Sequence, residues 1–480
     1  MIVASGKQIP MLSSPLLMNS FFSASRRLPL YLLLAGTFAA CTNNSSTNNT
    51  VNTKTSTTGT GDSVTTVATT PQASIDPGLT LPVLDALFYE EGFSDELKSK
   101  LALTDAEVTK IKTVAHSSVS DLDEKGDGTA YLGSAREASK QSEAQLTTIL
   151  GAEKAAQLRQ FVADRYAGGD LAALLPTEPN SVPKDTRIVV NAPAYRMDVY
   201  QEGKLLRTYK VGIGYPEFPL PAGMRRADQI IFNPTWTPPD EPWVKGKFAP
   251  GKTVAAGSKD NPLGPIKIPI GLPSLIHGGK QPAKLGSFAS HGCVGLTNEG
   301  VQDFAATLSQ LGGDAAFNLD SVKSYAENRS KTKTEKLPKP IPVELRYETI
   351  VAGNGNVTVY RDVYERGTNT VANADKVLAV YGLKFASLPE PEKRALYAAL
   401  NEMNEDPKGN RIVDNIGDSM SAETDSSSTK TSKPTKGRVT TTVKGRKEIV
   451  VPIAALAGKG YPAPVDLVGG TPQKAVATNQ

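Results

Sequence analysis

The chain has 480 residues, 39% of them hydrophobic, and a formal net charge of +4. This length is sufficient for two or three domains, and so small a net charge argues against nucleic acid as a partner. No run after residue 41 is apolar enough to span a bilayer, which argues against a protein with several membrane-spanning helices.

Residues 1–41 have the pattern of an export signal. Two arginines precede a short apolar run, 28–40, which is too short for a spanning helix. The run ends at Cys41, and the letters FAAC resemble a lipobox, in which the cysteine is lipidated and becomes the mature N-terminus. An ordinary signal peptide cut near Ala40 is the alternative.

Lipidation of Cys41 predicts a location in the cell envelope, with the protein facing the periplasm and held to a membrane by its N-terminal lipid. Thr42 follows in place of aspartate, which permits sorting to an outer membrane if the host has one. Cys293 then has no second cysteine with which to form a disulfide in the chain. A single free thiol in an exported protein suggests a nucleophile.

Two segments of different composition follow. Residues 42–78 are rich in Thr, Ser and Asn, which predicts a disordered tether. Residues 79–169 predict a helical accessory domain, because apolar residues recur at helical spacing. Thr104 and Glu107 have the spacing of a capping box at the start of one helix. The predicted helices are Val83–Tyr89, Asp95–Leu101, Asp105–His116 and Ser134–Tyr166.

A β pattern begins after a proline-containing linker at 170–185. Glu202-Gly203 predicts a hairpin turn, since apolar and polar residues alternate on both sides of it. The Pro-rich segment 216–243 predicts a surface loop, which holds both tryptophans, Trp236 and Trp243. The predicted strands are Arg187–Asn191, Met197–Gln201 and Lys204–Gly212.

The stretch from Ile276 to Leu296 concentrates the residues that carry nucleophile and base chemistry. It contains Cys293, one of two cysteines, and His277 and His291, two of three histidines. Cys293 follows His277 by 16 residues, enough for the chain to leave one strand, turn and return beside it. Thiolate catalysis needs a base and dipoles for the oxyanion, and this stretch contains both kinds of group.

The local pattern predicts how these groups meet. Ile266–Ile270 and Ser274–His277 read as short strands, and a glycine-rich turn follows. Gly292 allows the backbone to approach a substrate carbonyl closely, so the N–H groups of Gly292 and Cys293 are candidate oxyanion donors. A neighbouring imidazolium or aligned N–H dipoles would lower the pKa of the thiol, which predicts a partly ionised Cys293 at neutral pH.

Other interpretations of the same residues exist. Cys293 followed by Val294 also fits a buried small hydrophobic residue, although such a thiol has no need of two histidines and several glycines nearby. His277 also fits a core histidine. His291 fits either an oxyanion-side residue or one that shapes the loop. A zinc site with one cysteine and two histidines needs a further ligand or an open water position, and no second cysteine is near.

The stretch resembles the active-site motif of the YkuD family of L,D-transpeptidases, which crosslink bacterial cell walls. The matching residues are His277-Gly278 and Ser290-His291-Gly292-Cys293, followed by hydrophobic residues at 294 and 296. The similarity extends from Arg187 to roughly Asp320. It includes strand-like 187–214 and the segments 233–239 and 261–264.

The resemblance implies a role for each motif residue. Cys293 is then the nucleophile and His277 the base, whose ring the carbonyl of Gly278 orients. Ser290, His291 and Gly292 support the nucleophile or line the oxyanion side, and neither a metal nor an organic cofactor is implied. Many family members carry Arg or Asn two residues after the cysteine, where this chain has Gly295. This departure leaves open how the donor peptide is held.

The predicted fold is mainly β, with a YkuD-type β-sandwich or barrel at 186–320 that follows the small helical domain. Residues 321–405 predict a β/α extension, with strands at Pro342–Tyr347 and Asn356–Tyr364. Residues 406–480 predict a low-complexity tail of uncertain structure.

The predicted reaction joins a donor stem peptide of peptidoglycan, through a cysteinyl thioester, to an acceptor amine on another stem peptide or on an anchored wall protein. Two alternatives remain. Water as the acceptor would make the protein an L,D-carboxypeptidase or another peptide hydrolase with the same Cys-His site. Loss of turnover, which Gly295 alone suggests, would make it a non-catalytic wall-binding lipoprotein.

Overall fold

The computed structural model describes residues 78–119, 122, 134–238, 252–271, 274–314, 317–329, 331–412 and 440–468. Cys41, Trp243 and the predicted tether up to residue 77 lie outside these ranges. Within them, no helix combines the length and the apolar character needed to cross a membrane.

Five helices form the N-terminal part of the described chain, and they pack around their own apolar core. The predicted capping box is confirmed: the Glu107 N–H donates to Thr104 Oγ1 over 3.2 Å, and the Thr104 N–H donates to a Glu107 carboxylate oxygen over 2.7 Å. The predicted helix Ser134–Tyr166 divides in two because Gly151 adopts a φ of 79°. The helices are α1 (Leu81–Leu87), α2 (Phe93–Leu101), α3 (Asp105–Val119), α4 (Ala135–Leu150) and α5 (Ala152–Ala167).

A mixed eight-stranded sheet follows the helices. The predicted hairpin turn is present, since Glu202 and Gly203 have φ values of 48° and 80° between two paired strands. Helices α6 (Asn298–Leu311) and α7 (Leu319–Glu327) follow the last short strand. The strands of this sheet are β1 (Arg187–Asn191), β2 (Arg196–Gln201), β3 (Lys204–Lys210), β5 (Gly223–Phe232), β6 (Ile266–Pro269), β7 (Leu275–His277), β9 (Val294–Gly295) and β10 (Lys333–Arg346). Their spatial order is β3-β2-β1-β10-β5-β6-β7-β9. A separate parallel pair joins β4 (Ile213–Gly214) to β8 (Phe288–Ser290).

Two inner strands of this sheet differ from the sequence prediction. The segment 216–243 was expected to be a surface loop, but β5 lies within it and pairs with both β6 and β10. Strand β10 lies between β1 and β5, so the sheet continues past the predicted domain end at residue 320. The sequence predicted only its second half, as Pro342–Tyr347, because proline cannot donate to a ladder and two prolines interrupt the first half. The structure places Pro338 and Pro340 where the register shifts, between Lys336 and Ile341, whereas Pro342 is paired with Arg226.

The remaining described residues form a smaller α/β unit with its own apolar core. Strands β11 (Ile350–Gly353), β12 (Asn356–Tyr360) and β13 (Glu448–Pro452) make an antiparallel sheet beside α8 (Val371–Ala379) and α9 (Glu390–Met403). The predicted strand Asn356–Tyr364 therefore ends at Tyr360. Strand β13 shows that part of the predicted tail has regular structure.

The end of the described chain covers one edge of the large sheet. The Val468 N–H donates to the Thr208 carbonyl over 3.0 Å, and the Lys210 N–H donates to the Val468 carbonyl over 3.3 Å. These bonds pair the tail with β3, the outermost strand at that edge. A covered edge does not offer unpaired backbone groups to another chain. The prediction of a mainly β domain preceded by a small helical domain is confirmed.

We expect β10 to be essential to the core of the large sheet. Leu345 is 2% exposed, so Leu345→Ala should lower the free energy of unfolding by about 2–5 kcal/mol, the usual cost of a leucine-to-alanine cavity. Lys336→Ala, at an exposed position of the same strand, should change it by no more than about 0.5 kcal/mol. Urea unfolding followed by circular dichroism measures both. Equal effects of the two substitutions would contradict this placement of β10.

Candidate active site

The pairing of β7 with β9 brings the predicted nucleophile and base together. The two strands are parallel, with Ile276 opposite Val294 and His277 opposite Gly295. The side chains of Ile276 and Val294 are fully buried in the core. Since side chains alternate along a strand, Cys293 shares the other face of this pair with His277 and Gly295.

The His277 ring is fixed by its own strand end. Its Nδ1 lies 2.7 Å from the Gly278 carbonyl oxygen. A carbonyl only accepts, so Nδ1–H is the donor, and the neutral ring offers Nε2 as an acceptor. Burial lowers the pKa of His277 to about 3; the charge of Lys280 lowers it further, while hydrogen bonds to the Gly278 and Leu263 backbones oppose both effects. The imidazole is therefore neutral at neutral pH.

The Cys293 thiol is protonated in the same environment. Cys293 is partly buried, and loss of water around the thiol raises its pKa, while a backbone hydrogen bond from Leu275 and the charge of Lys280 act in the opposite direction. The predicted partly ionised thiol is therefore wrong for this resting site. Burial disfavours both charged forms, so the pair is neutral before a substrate arrives.

Ser290 holds the backbone of Cys293 at two points. The Ser290 hydroxyl donates to the Cys293 carbonyl over 2.6 Å and accepts from the Cys293 N–H over 2.9 Å. The N–H of Cys293, one of the two predicted oxyanion donors, is therefore already engaged.

Gly292 is held from its carbonyl side. Its carbonyl accepts from the buried Ser274 hydroxyl over 2.9 Å, and its φ of 92° lies in the left-handed region that favours glycine. No acceptor in the described parts of the chain takes the hydrogen of the Gly292 N–H. Gly292 thus keeps the predicted position of an oxyanion donor.

His291 packs between two aromatic rings. Its ring lies edge-on to Tyr215 and Phe218, with centroid distances of 5.1 and 4.7 Å. Burial, followed by the charge of Lys280, lowers the pKa of His291 to about 3. A neutral, packed ring forms a wall of the site, and its share in oxyanion binding stays a prediction.

The loop of residues 215–222 connects this wall to distant parts of the protein. The Thr80 hydroxyl, at the N-cap of α1, donates to the Glu217 carbonyl over 2.8 Å. Tyr364, which follows β12, donates from its hydroxyl to the Gly214 carbonyl over 2.9 Å and accepts from the Leu220 N–H over 3.2 Å. The helical domain and the C-terminal unit therefore both support the site.

Gly278 lies where a larger residue does not fit. A Cβ at this position would be 2.8 Å from Val301 Cγ1 and 3.1 Å from Asn298 Oδ1, both on α6. The Gly279 N–H donates to the same Asn298 oxygen over 2.8 Å. This close approach fixes the carbonyl that orients His277.

Several of these residues were not predicted as site residues. Ser274, Tyr215, Phe218, Tyr364 and Lys280 carry no motif of their own in the sequence. Each lies at the site because of a fold-level contact, such as the packing of the 215–222 loop.

In the described parts of the chain, no group of three or more His, Cys, Asp or Glu side chains has the geometry of a metal site.

Comparison with known proteins places this site within a recognised domain. Residues 185–334 match the family model of the YkuD L,D-transpeptidase catalytic domain. The chain is 30% identical to the Probable L,D-transpeptidase YbiS of Escherichia coli K12 over 144 residues. The matched region covers 29% of this chain and 47% of YbiS. It thus spans about half the length of that relative. It is 24% identical over 180 residues to YqjB of Bacillus subtilis 168, whose name also assigns it to the L,D-transpeptidases, covering 36% of this chain and 94% of YqjB.

Solved structures also match this region. The catalytic domain of the Enterococcus faecium L,D-transpeptidase has 17% identity and a TM-score of 0.23, covering 35% of this chain and all of that domain. An L,D-transpeptidase from Mycobacterium smegmatis has 18% identity and a TM-score of 0.20, covering 34% of this chain and 58% of its own.

The raised pKa of the thiol predicts how the reactivity of Cys293 depends on pH. A thiol whose pKa is raised stays protonated to higher pH, so its alkylation by iodoacetamide should keep accelerating above pH ~8.5, the pKa of a free cysteine. Peptide mapping by mass spectrometry follows Cys293 alone, and the same protein in urea supplies the reference profile. A midpoint below that of the unfolded protein would instead indicate a preformed thiolate–imidazolium pair.

Proposed function

We propose that this protein is a peptidoglycan L,D-transpeptidase, because residues 185–334 match the family model of the YkuD L,D-transpeptidase catalytic domain. It forms a cysteinyl thioester with a donor stem peptide, releases a terminal D-residue and transfers the acyl group to an acceptor amine. The observation that carries this proposal is the shared strand face of Cys293 and His277.

The first half-reaction uses a neutral thiol and a neutral imidazole. As the Cys293 sulfur attacks the carbonyl that precedes the terminal D-residue, its proton passes to Nε2 of His277. The carbonyl oxygen gains negative charge, which the Gly292 N–H stabilises. The C–N bond then breaks, and the departing amine takes the proton from the imidazolium. The product is a thioester on Cys293 and a free D-residue.

The second half-reaction reverses these roles. An acceptor amine attacks the thioester and gives its proton to His277, the C–S bond breaks, and the Cys293 sulfur regains the proton. None of these steps requires a metal or an organic cofactor. An amine on a second stem peptide gives a crosslink, whereas an amine on a wall protein gives anchoring.

The location follows from the proposed substrate. We propose that the protein lies in the cell envelope, facing the periplasm, with Cys41 lipidated and embedded in the outer membrane where the host has one. The polymer substrate is found only outside the inner membrane, and the sequence around Cys41 resembles a lipobox. Peptidoglycan stem peptides are the partners.

Turnover should depend unequally on the two central residues. Cys293→Ala should abolish turnover and covalent adduct, because no other group supplies the sulfur. His277→Ala should leave a slow residual activity, since loss of one general base typically costs about 10²–10⁴-fold. Purified protein is incubated with muropeptides, and the products are measured by mass spectrometry.

The same spectra distinguish the possible acceptors. A crosslinked dimer indicates transpeptidation, a shortened stem without a crosslink indicates carboxypeptidase activity, and unchanged muropeptides indicate a binding protein. Turnover by Cys293→Ala at the parent's rate would refute the mechanism.

The predicted anchor has a separate test. Intact-mass analysis of the mature protein should show an N-terminus at Cys41 that carries lipid, and Cys41→Ala should release the protein from the membrane fraction. An unmodified mass, or cleavage at another position, would contradict lipidation.

A further inference from the structure

The Lys280 side chain fills the space beside Cys293 that a side chain at Gly295 would occupy. A Cβ built on Gly295 would lie 2.8 Å from Cγ and 2.9 Å from Cε of Lys280. Gly295 is not among the residues with positive φ, so its backbone is open to other residue types. A side chain at position 295 would therefore displace the Lys280 side chain, which fills this space.

The backbone fixes where that side chain starts. The Lys280 N–H donates to the Leu296 carbonyl over 3.0 Å, and the Leu296 N–H donates to the His277 carbonyl over 2.8 Å. Lys280 thus returns toward β9 directly after the strand that ends in His277. Its aliphatic stem crosses Gly295 on the face that carries Cys293.

The charge of Lys280 is felt throughout the site. It lowers the pKa of His277, of His291 and of Cys293. The ammonium therefore lies within electrostatic range of all three side chains. In a cleft with little water, such a charge attracts an anionic group of the substrate more strongly than it would at the surface.

We propose that Lys280 determines donor specificity by binding the carboxylate of the terminal residue that is released. This inference rests on the proposed transpeptidase function. That carboxylate lies one residue beyond the scissile carbonyl, at about 3.6 Å along the chain. A cation beside Cys293 is placed for it when the sulfur meets the carbonyl. A flexible ammonium with three donors suits a carboxylate that must leave after the reaction.

The test compares two donor tetrapeptides that differ only in a terminal carboxylate or carboxamide. Their dissociation constants are measured by calorimetry with Cys293→Ala protein, which does not consume them. The acid should bind roughly ten- to a hundredfold more tightly than the amide, as expected for a hydrogen bond between charged groups. Adding Lys280→Met, which keeps the stem over Gly295 but removes the charge, should bring this ratio to about one. Adding Lys280→Arg should preserve it.

A relocated cation gives a second, independent test. Lys280→Ala empties the space over Gly295, and Gly295→Arg then places a cation there from β9. In the Cys293→Ala background, this pair of substitutions should recover part of the preference for the acid, whereas Lys280→Ala alone should not. Such a recovery would show that the charge at this position, and not the lysine stem, selects the donor.

The failure of this inference differs from the failure of the proposed function. If Lys280→Met weakens binding of the acid and the amide by the same factor, Lys280 does not read the carboxylate and the inference is overturned. The same holds if Cys293→Ala protein binds both donors equally. The proposed function fails on a different measurement, the absence of thioester and products when the parent is mixed with donor and acceptor.

Discussion

The short parallel pairing of β7 with β9 is the constraint on which the candidate site depends. Two pairs of opposed residues, with Ile276 and Val294 in the core, leave Cys293 and His277 on one face. The nearby hydrogen bonds protect this arrangement. Ser290 holds the Cys293 backbone, and Ser274 holds the residue before it. Because the strand pairing involves so few residues, these side chain–backbone hydrogen bonds help to fix the position of Cys293.

Burial determines the resting chemistry of the site. Both the thiol and the imidazole lose water, and their pKa values move in the directions that favour neutral forms. In the proposed reaction, charge develops only as the sulfur attacks the substrate carbonyl, where the Gly292 N–H can stabilise it. The same walls that exclude water reach outward through the 215–222 loop to α1 and to Tyr364. The accessory parts thereby contribute to the rigidity of the cleft.

The sequence predicted the centre of the site better than its surroundings. Cys293 and His277 were recognisable because their residue types are rare in this chain and their spacing is specific. Thr104 and Glu107 were predictable because a capping box is local chemistry. Strand β5 and the first half of β10 were missed, since prolines and charges interrupt their alternation; the second half of β10 was predicted as Pro342–Tyr347. Lys280 had no signal at all, because its position over Gly295 depends on a turn and a strand pairing that only the fold brings together.

The order of strands in the large sheet also constrains how the protein folds. Strand β1, at residues 187–191, has as its parallel neighbour β10, at 333–346, and β10 in turn separates it from β5. The two halves of the sheet therefore remain unjoined until residues 333–346 have been synthesised. Pairings between residues so distant in the chain slow folding, because loop closure must precede the contacts that reward it. The proposed export, which requires an unfolded precursor, would be favoured by a sheet that is completed so late.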